Sequence, residues 1–396
     1  MQNTLIERVQ EICLSATPNL IALQNQLESE LQQSPEETMK LIYQTVLRLN
    51  ASNFYPIKKL EIMHTEGCNL ACTYCFEKNM NTHNMIKPEI ARAAVDLLFD
   101  YSGKQKELSI LHFGGEPTLN FSSIKLVTEY AKAKASLTGK TIRFSMTSNG
   151  TLIDEEMAKY FAQHRIMVLL SIDGMSSSHN RFRRNKMGNG SFDQTMKGVE
   201  ILKKTQRWIG TKMTVMPENV QNLYDDVVGL YSLGINQFII DSASGVNWSQ
   251  EDMDTYVEQL KRLYQWFKET PRKDLKISQF ELKPKKKGYF GCEAGRNKIA
   301  VSVKGEISPC SKILGLNNQQ PLAKLGDVWY GLYHLENRAD LINCYQLKSS
   351  CEEKGIAADF QGGCFASNYN ENKDLFEPCL QDYRFKKIKM EALCGN

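Results

Sequence analysis

The chain has 396 residues, 42 % apolar and 24 % charged, an ordinary globular composition long enough for two or three domains. A formal charge of +4, from 49 Lys+Arg against 45 Asp+Glu, is too small to drive binding to nucleic acid or to a membrane surface. No apolar run approaches the roughly eighteen residues of a membrane span. The start MQNTLIERVQEIC has no secretory-signal layout. The expectation is a cytoplasmic protein whose 11 cysteines stay reduced. Ten of them fall in two groups more than 200 residues apart, which reads first as metal ligation.

Residues 1–56 carry helical spacing: Leu5, Val9 and Ile12, then Leu20 to Leu31, then Met39, Ile42 and Val46. Ser34-Pro35-Glu36-Glu37 is a helix-start signal. Cys13, a lone thiol among apolar neighbours, reads as packing. From residue 57 the rhythm changes. Short apolar runs at 57–64, 107–113, 141–147, 166–172, 210–216 and 235–240 alternate with amphipathic stretches near 88–101, 121–136, 153–163, 193–207, 219–232 and 251–269. Such strand–helix alternation means parallel strands joined by right-handed crossovers. Six units are fewer than the eight of a closed barrel, so an open or partial barrel is expected, its site at the C-terminal strand ends. Residues 271–288, with seven basic residues, read as a solvated linker. No internal repeat follows.

After the first strand the chain reads His64-Thr-Glu-Gly-Cys68-Asn-Leu-Ala-Cys72-Thr-Tyr74-Cys75. Three thiolates this close can wrap one metal centre. Buried free thiols are one alternative, and zinc with His64 as fourth ligand is another. Zinc prefers four tetrahedral ligands, commonly from two Cys-x-x-Cys pairs, which suits this spacing poorly. Three cysteines without a fourth suit a four-iron cluster with one iron open.

This segment resembles the Cys-x3-Cys-x-aromatic-Cys signature of the radical S-adenosylmethionine (SAM) superfamily, with Tyr74 as the aromatic residue. The resemblance extends over roughly 57–241. Gly114-Gly115-Glu116-Pro117 matches the family's Gly-Gly-Glu-Pro, and Thr147-Ser148-Asn149-Gly150 is similar to its Thr-Asn-Gly segment. Ser171-Ile-Asp173-Gly174, with His179-Asn180 and Arg183, resembles Ser-x-Asp-Gly…His-Asp…Arg, although Asn180 departs from the usual Asp. Paired glycines allow close backbone approach to a ligand, and the Glu116 carboxylate suits the ammonium of a bound methionine moiety. By the resemblance, Ser148, Ser171, Asp173 and Arg183 lie near the ribose or the methionine carboxylate. The implied fold is α/β, a partial (β/α)6 TIM-like barrel of the radical SAM type spanning 57–270. The implied chemistry is reductive cleavage of SAM at a [4Fe-4S] cluster, followed by hydrogen abstraction from a substrate carbon.

Cys292-x12-Gly305-x4-Cys310 is similar to the opening of the SPASM domain, a C-terminal module that binds auxiliary iron–sulfur clusters. Residues 271–396 would form this cysteine-rich domain. Between the two cysteines, IAVSVKGEISP reads as a hairpin turning at Lys304-Gly305. The family's Cys-x2-Cys-x5-Cys-x3-Cys run is replaced here by Cys344-x6-Cys351-x12-Cys364, with Phe360 where a cysteine is usual. By the family's connectivity, Cys292, Cys310 and Cys364 would serve one auxiliary [4Fe-4S] cluster and Cys344, Cys351 and Cys379 a second, so one or two are expected. Cys394 either completes a set or is a free thiol, and zinc is the bland alternative for the whole group.

The resemblance implies an oxidoreductase that modifies a ribosomally made precursor peptide through a thioether or other crosslink, fed by a flavodoxin- or ferredoxin-like electron donor. The alternatives are a sulfatase-type maturase forming formylglycine, an enzyme acting on a sugar or tetrapyrrole, and a non-catalytic iron–sulfur scaffold. The sulfatase reading is disfavoured because those enzymes place an Asp after the cysteine matching Cys310, where this chain has Ser311.

Overall fold

The computed structural model of the chain describes residues 55–77, 82–269, 274–280, 292–316, 320–357, 360 and 362–394, with positions 25, 28–30, 34, 35 and 38. Most of the expected N-terminal helical segment, Cys13 included, lies outside the described residues. At the expected helix start Pro35 is helical, and the Thr38 N–H donates to the Ser34 carbonyl at 3.0 Å.

Six parallel strands follow in chain order: β1 (Lys59–Met63), β2 (Glu107–Phe113), β3 (Thr141–Ser148), β4 (Ile166–Ser171), β5 (Gly210–Val215) and β6 (Gln237–Ser242). Each pair is bridged by a helix whose ends carry recognisable stop and start chemistry. Pro88 opens Pro88–Asp100; Asn120 caps Phe121–Leu137; Asp154 Oδ1 caps Glu155–His164 by accepting from Met157 N at 2.8 Å. Strand side chains alternate between faces. Ile166, Val168 and Leu170 are buried against helices, while Met167, Leu169 and Ser171 face the barrel interior and are less covered. A short helix, Ser176–Phe182, was not foreseen. No described helix is long and apolar enough to cross a membrane.

Both edges of this sheet are extended. β7 (Lys276–Ile277) pairs parallel to β6, with Ile277 fully buried. The linker expectation therefore fails over 274–280, where Gln279 Oε1 also accepts from the Ile240 N–H at 3.1 Å. On the other edge β8 (Lys298–Val301) lies parallel to β1. It turns at Gly305 (φ 88°) into β9 (Glu306–Ser308), the hairpin expected from the sequence. The short β10 (Gly326–Asp327) and β11 (Gly331–Leu332) complete an eleven-stranded sheet in which β1 is internal. The architecture is a partial (β/α)6 barrel whose cysteine-rich C-terminal region is hydrogen-bonded onto it.

His64 and His112, both fully buried, sit where β1 and β2 end. His64 Nε2 meets His112 Nδ1 at 2.8 Å, and His64 Nδ1 meets Ser123 Oγ at 2.8 Å. Both ring nitrogens of His64 are engaged, so it is not placed to ligate a metal with the neighbouring thiols. Burial pushes both imidazoles down, His112 to about 3, and the His112 ring adds to the lowering of His64. A depressed folded-state value means the unfolded chain takes up the proton first as pH falls. The stability associated with neutral His112 is present above about 6.5 and drains away towards pH 3, at about 1.4 kcal/mol per pH unit. In parallel urea titrations at pH 6.5, 5.5 and 4.5, His112→Gln is expected to flatten the decline in stability by that slope. An unchanged slope would show that the imidazole is not held neutral.

Candidate active site

The loop after β1 carries the first three cysteines and is clamped from two sides. On one side Gly115 N donates to Thr65 O at 3.0 Å and Glu116 N to Gly67 O at 2.9 Å. A Cβ on Gly114 (φ 148°) would stand 2.4 Å from Thr65 O, and one on Gly115 2.4 Å from Gly67 O. These glycines are therefore required by the thiol loop itself, which passes directly over them. On the other side Ala71 N donates to Arg184 O at 2.7 Å and Thr73 N to Phe182 O at 3.1 Å.

Cys68, Cys72 and Cys75 are half-buried on this loop and near enough to act on one another electrostatically. Burial pushes the Cys68 thiol up to about 12 and the Cys75 thiol to about 11; it also raises Cys72, which the Arg183 guanidinium partly counters. Such thiols ionise only when a cation replaces the proton. Among the described residues no three Cys, His, Asp or Glu side chains close on a single-ion site. A cube of four irons is wider than one ion and takes thiolates that stand further apart. The three-thiol loop, open on one side, fits such a cluster.

Behind the loop lies a buried ion pair. Asp173, 1 % exposed, accepts from Arg183 Nε at 2.8 Å and Arg183 Nη2 at 3.0 Å. It also accepts from Thr214 N at 2.9 Å and from the Tyr74 hydroxyl. Each carboxylate oxygen thus takes two donors and none is left for a ligand. Asp173 is a positioning group, and Arg183 extends from it to Cys72. Glu116 is buried too. Its Oε1 accepts from Thr118 N, Thr118 Oγ1 and Ser148 Oγ, while Oε2 accepts from Asn149 N at 2.7 Å. Oε2 keeps capacity for one further donor, and it is the Glu116 carboxylate that acts on Cys68. Ser148 is used up internally, since it also accepts from Gly150 N at 3.0 Å. Ser171 faces the barrel interior, in register with Lys212 of β5. Asn180 Oδ1 accepts from Phe192 N at 2.9 Å and so starts the helix Phe192–Lys203; the departure from Asp costs this cap nothing.

Cys292, Cys310 and Cys364 form the second gathering, each within electrostatic reach of the others. Cys310 ends the β8–β9 hairpin and Cys364 precedes the helix Phe365–Asn372. Backbone N–H groups of Ala294 and Phe365 point at Cys292, and the helix start favours negative charge there. Burial raises Cys310 to about 12, against the pull of Lys298. Lys298 Nζ bonds Glu61 Oε1 at 3.2 Å, and Ser311 N donates to Glu61 Oε2 at 2.7 Å. Of the other expected thiols, Cys344 is acted on by Arg296 and Cys292, Cys351 by Glu377 and Glu352, and Cys379 by Asp382 and Glu371. The side chain of Cys394 lies outside the described residues.

Between the two thiol groups the interior carries charges the sequence reading did not single out. Lys212 Nζ stands 3.6 Å from Asp241 Oδ2. Burial, with Lys312 nearby, pushes the Lys212 ammonium down. Burial works against Lys312 as well, but Cys364, Asp241 and Cys310 keep it charged. Strand alternation over 210–215 was the available signal for Lys212. Asn149, whose Nδ2 donates to Asn69 Oδ1 at 2.9 Å in the thiol loop, stood within the quoted Thr147–Gly150 segment and was passed over.

Residues 62–227 match the Radical SAM superfamily. The serine-type anaerobic sulfatase-maturating enzyme of Bacteroides thetaiotaomicron is 33 % identical over 144 residues, 35 % of this chain and 34 % of that enzyme. Native anSMEcpe with bound AdoMet and the Kp18Cys peptide superposes with a TM-score of 0.68 at 20 % identity, covering 86 % of this chain and 98 % of the other. Streptococcus suis SuiB bound to the precursor peptide SuiA gives 0.61 at 20 % identity, covering 87 % and 80 %. Both share the barrel and a SPASM-type C-terminal domain with this chain. The family implies a [4Fe-4S] cluster and SAM, and the loop that would hold that cluster follows β1 and is clamped by Gly115 and Glu116 on one side and Phe182 and Arg184 on the other. Residues 62–227 thus carry a radical SAM domain, in an enzyme similar to sulfatase-maturating enzymes and in fold to structures with a SPASM-type C-terminal domain.

Proposed function

We propose that this enzyme removes a hydrogen atom from an unactivated carbon of a ribosomally made precursor peptide and joins that carbon to a second side chain, as a thioether or related crosslink. The observation that carries this reading is the placement of two separate thiol groups, Cys68/Cys72/Cys75 and Cys292/Cys310/Cys364, around one polar barrel interior. The likeness to SuiB, described with a precursor peptide, and to anSMEcpe, described with a bound peptide, supports a peptide substrate.

Cys68, Cys72 and Cys75 would hold the SAM-binding cluster, and Cys292, Cys310 and Cys364 an auxiliary one. When bound, SAM at its cluster supplies a 5′-deoxyadenosyl radical. The remaining work falls to the chain. Glu116 Oε2 and Arg183, with Tyr74 and Asp173 holding Arg183 in place, would orient the methionine end. Gly114 and Gly115 hold the loop above them. Ser171, Lys212 and Asp241 line the space a substrate side chain would enter, and Asp241 with Lys212 would receive the proton that leaves a substrate thiol. A flavodoxin- or ferredoxin-like donor in the cytoplasm would supply the electron that cleaves SAM, and the electron released as the carbon–sulfur bond forms would pass to the auxiliary cluster that Cys292, Cys310 and Cys364 would hold.

Sulfatase maturation is the second reading, favoured by the relative at 33 % identity. Against it stands Ser311, whose N–H is engaged by Glu61, itself paired with Lys298. The test is to incubate the anaerobically reconstituted enzyme with SAM, reductant and the cysteine-containing peptide encoded nearest to it. A product two hydrogens lighter that has lost its free thiol supports the proposal. A hydrazide-reactive aldehyde would replace it with the second reading. Deoxyadenosine without either product would show that the substrate class is wrong.

A further inference from the structure

Two of the positions from which a second auxiliary cluster would take thiolates are not cysteines in this chain. Counted back from Cys364 with the spacing x3, x5, x2, the remaining positions of the usual run fall on Phe360, Lys354 and Cys351. Two of these carry side chains that cannot bind iron as thiolates do, and both have ordinary folding roles. Phe360 is 5 % exposed and packs edge-on against Tyr383, ring centres 5.3 Å apart. Gly363 lies so close that a Cβ there would stand 2.7 Å from Phe360 Cζ. Lys354 Nζ binds Glu377 Oε1 at 2.6 Å, and the Ser350 hydroxyl bonds the other oxygen of that carboxylate.

The two cysteines left over are engaged as thiols. Cys379 Sγ donates to Glu371 Oε2 at 2.9 Å and accepts from Asp382 N at 3.4 Å. Cys351 is buried, within electrostatic reach of Glu377 and Glu352. An iron–sulfur cluster with thiolate ligands is itself anionic, so carboxylates at this position oppose it. Cys344 belongs to neither. Its Sγ donates to Leu341 O at 3.0 Å, and it lies on the Cys292 side, 3.9 Å from Arg296 Nη2.

We infer that this enzyme carries a single auxiliary cluster, at Cys292, Cys310 and Cys364, and that the second auxiliary site has been converted into hydrophobic and ion-paired packing around Phe360 and Lys354. The inference rests on reading 292–379 as an iron–sulfur module.

Iron and sulfide analysis with Mössbauer quantification on the anaerobically reconstituted full chain separates the cases. One SAM-binding and one auxiliary cluster give about eight irons per chain. About twelve would overturn the inference while leaving the module reading intact, and about four would overturn the module reading itself. The Cys351→Ala/Cys379→Ala variant should keep the wild-type iron content, and a drop of about four irons there would likewise overturn the inference. Cys351→Ser/Cys379→Ser, with the same expected content, covers the case in which the alanine variant fails to fold. Cys292→Ala/Cys310→Ala/Cys364→Ala should lose about four irons and keep the signal of the SAM-binding cluster.

Discussion

Replacing Cys68, Cys72 and Cys75 together by alanine is expected to abolish formation of 5′-deoxyadenosine from SAM under reducing conditions, while the iron held by the C-terminal thiols remains. The loop backbone is held by Gly115, Glu116, Ala71 and Thr73 through main-chain bonds that the substitutions do not touch. The variant should therefore fold, with iron falling from about eight to about four per chain. Chromatographic assay of deoxyadenosine, alongside iron analysis, reads both expectations. Cleavage undiminished in the triple variant would mean that SAM is activated elsewhere.

Arg183→Met is expected to be among the most destabilising single substitutions in the barrel. It leaves Asp173, 1 % exposed, with a buried charge and only Thr214 N and the Tyr74 hydroxyl as donors. Breaking a buried pair by removing one partner costs about 3–5 kcal/mol, which for a chain of this size lowers Tm by roughly 5–10 °C. Asp173→Asn/Arg183→Met removes both charges and should recover part of the loss. Tyr74→Phe removes one donor of four and should cost only about 1 kcal/mol. Thermal unfolding of the three variants in one buffer measures the series. If Arg183→Met costs no more than Tyr74→Phe, the pair does not carry the charge of Asp173.

What the sequence disclosed was largely periodic or motif-bound. Six parallel strands were legible because apolar runs alternate with helical stretches, and the hairpin was legible because Lys304-Gly305 interrupts two such runs. β7 was not, because Ile277 stands alone among basic residues and its burial depends on β6 beside it. The motif residues were found, but their roles followed from partners distant in sequence. Asp173 looks like a ligand-binding carboxylate until Thr214, Tyr74 and Arg183 are seen to consume both its oxygens, whereas Glu116 keeps capacity at Oε2 beside Asn149. A spacing rule assigns thiols to a cluster, but it does not show their partners in the fold, Leu341 O for Cys344 and Glu371 for Cys379.

The parallel pairing of β8 with β1 makes one strand the common baseline of both thiol groups. The first group hangs from the end of β1, and the second brackets the hairpin that β8 opens, with Cys292 before β8 and Cys310 after β9. Lys59↔Lys298 through Ile62↔Val301 thus acts as a ruler between two redox-competent centres, graduated in peptide units and without a hinge. Slippage by one residue would turn Glu61 and Lys298 away from each other and reverse every side chain of the strand. The two halves therefore cannot swing apart to admit a guest molecule without unzipping the sheet.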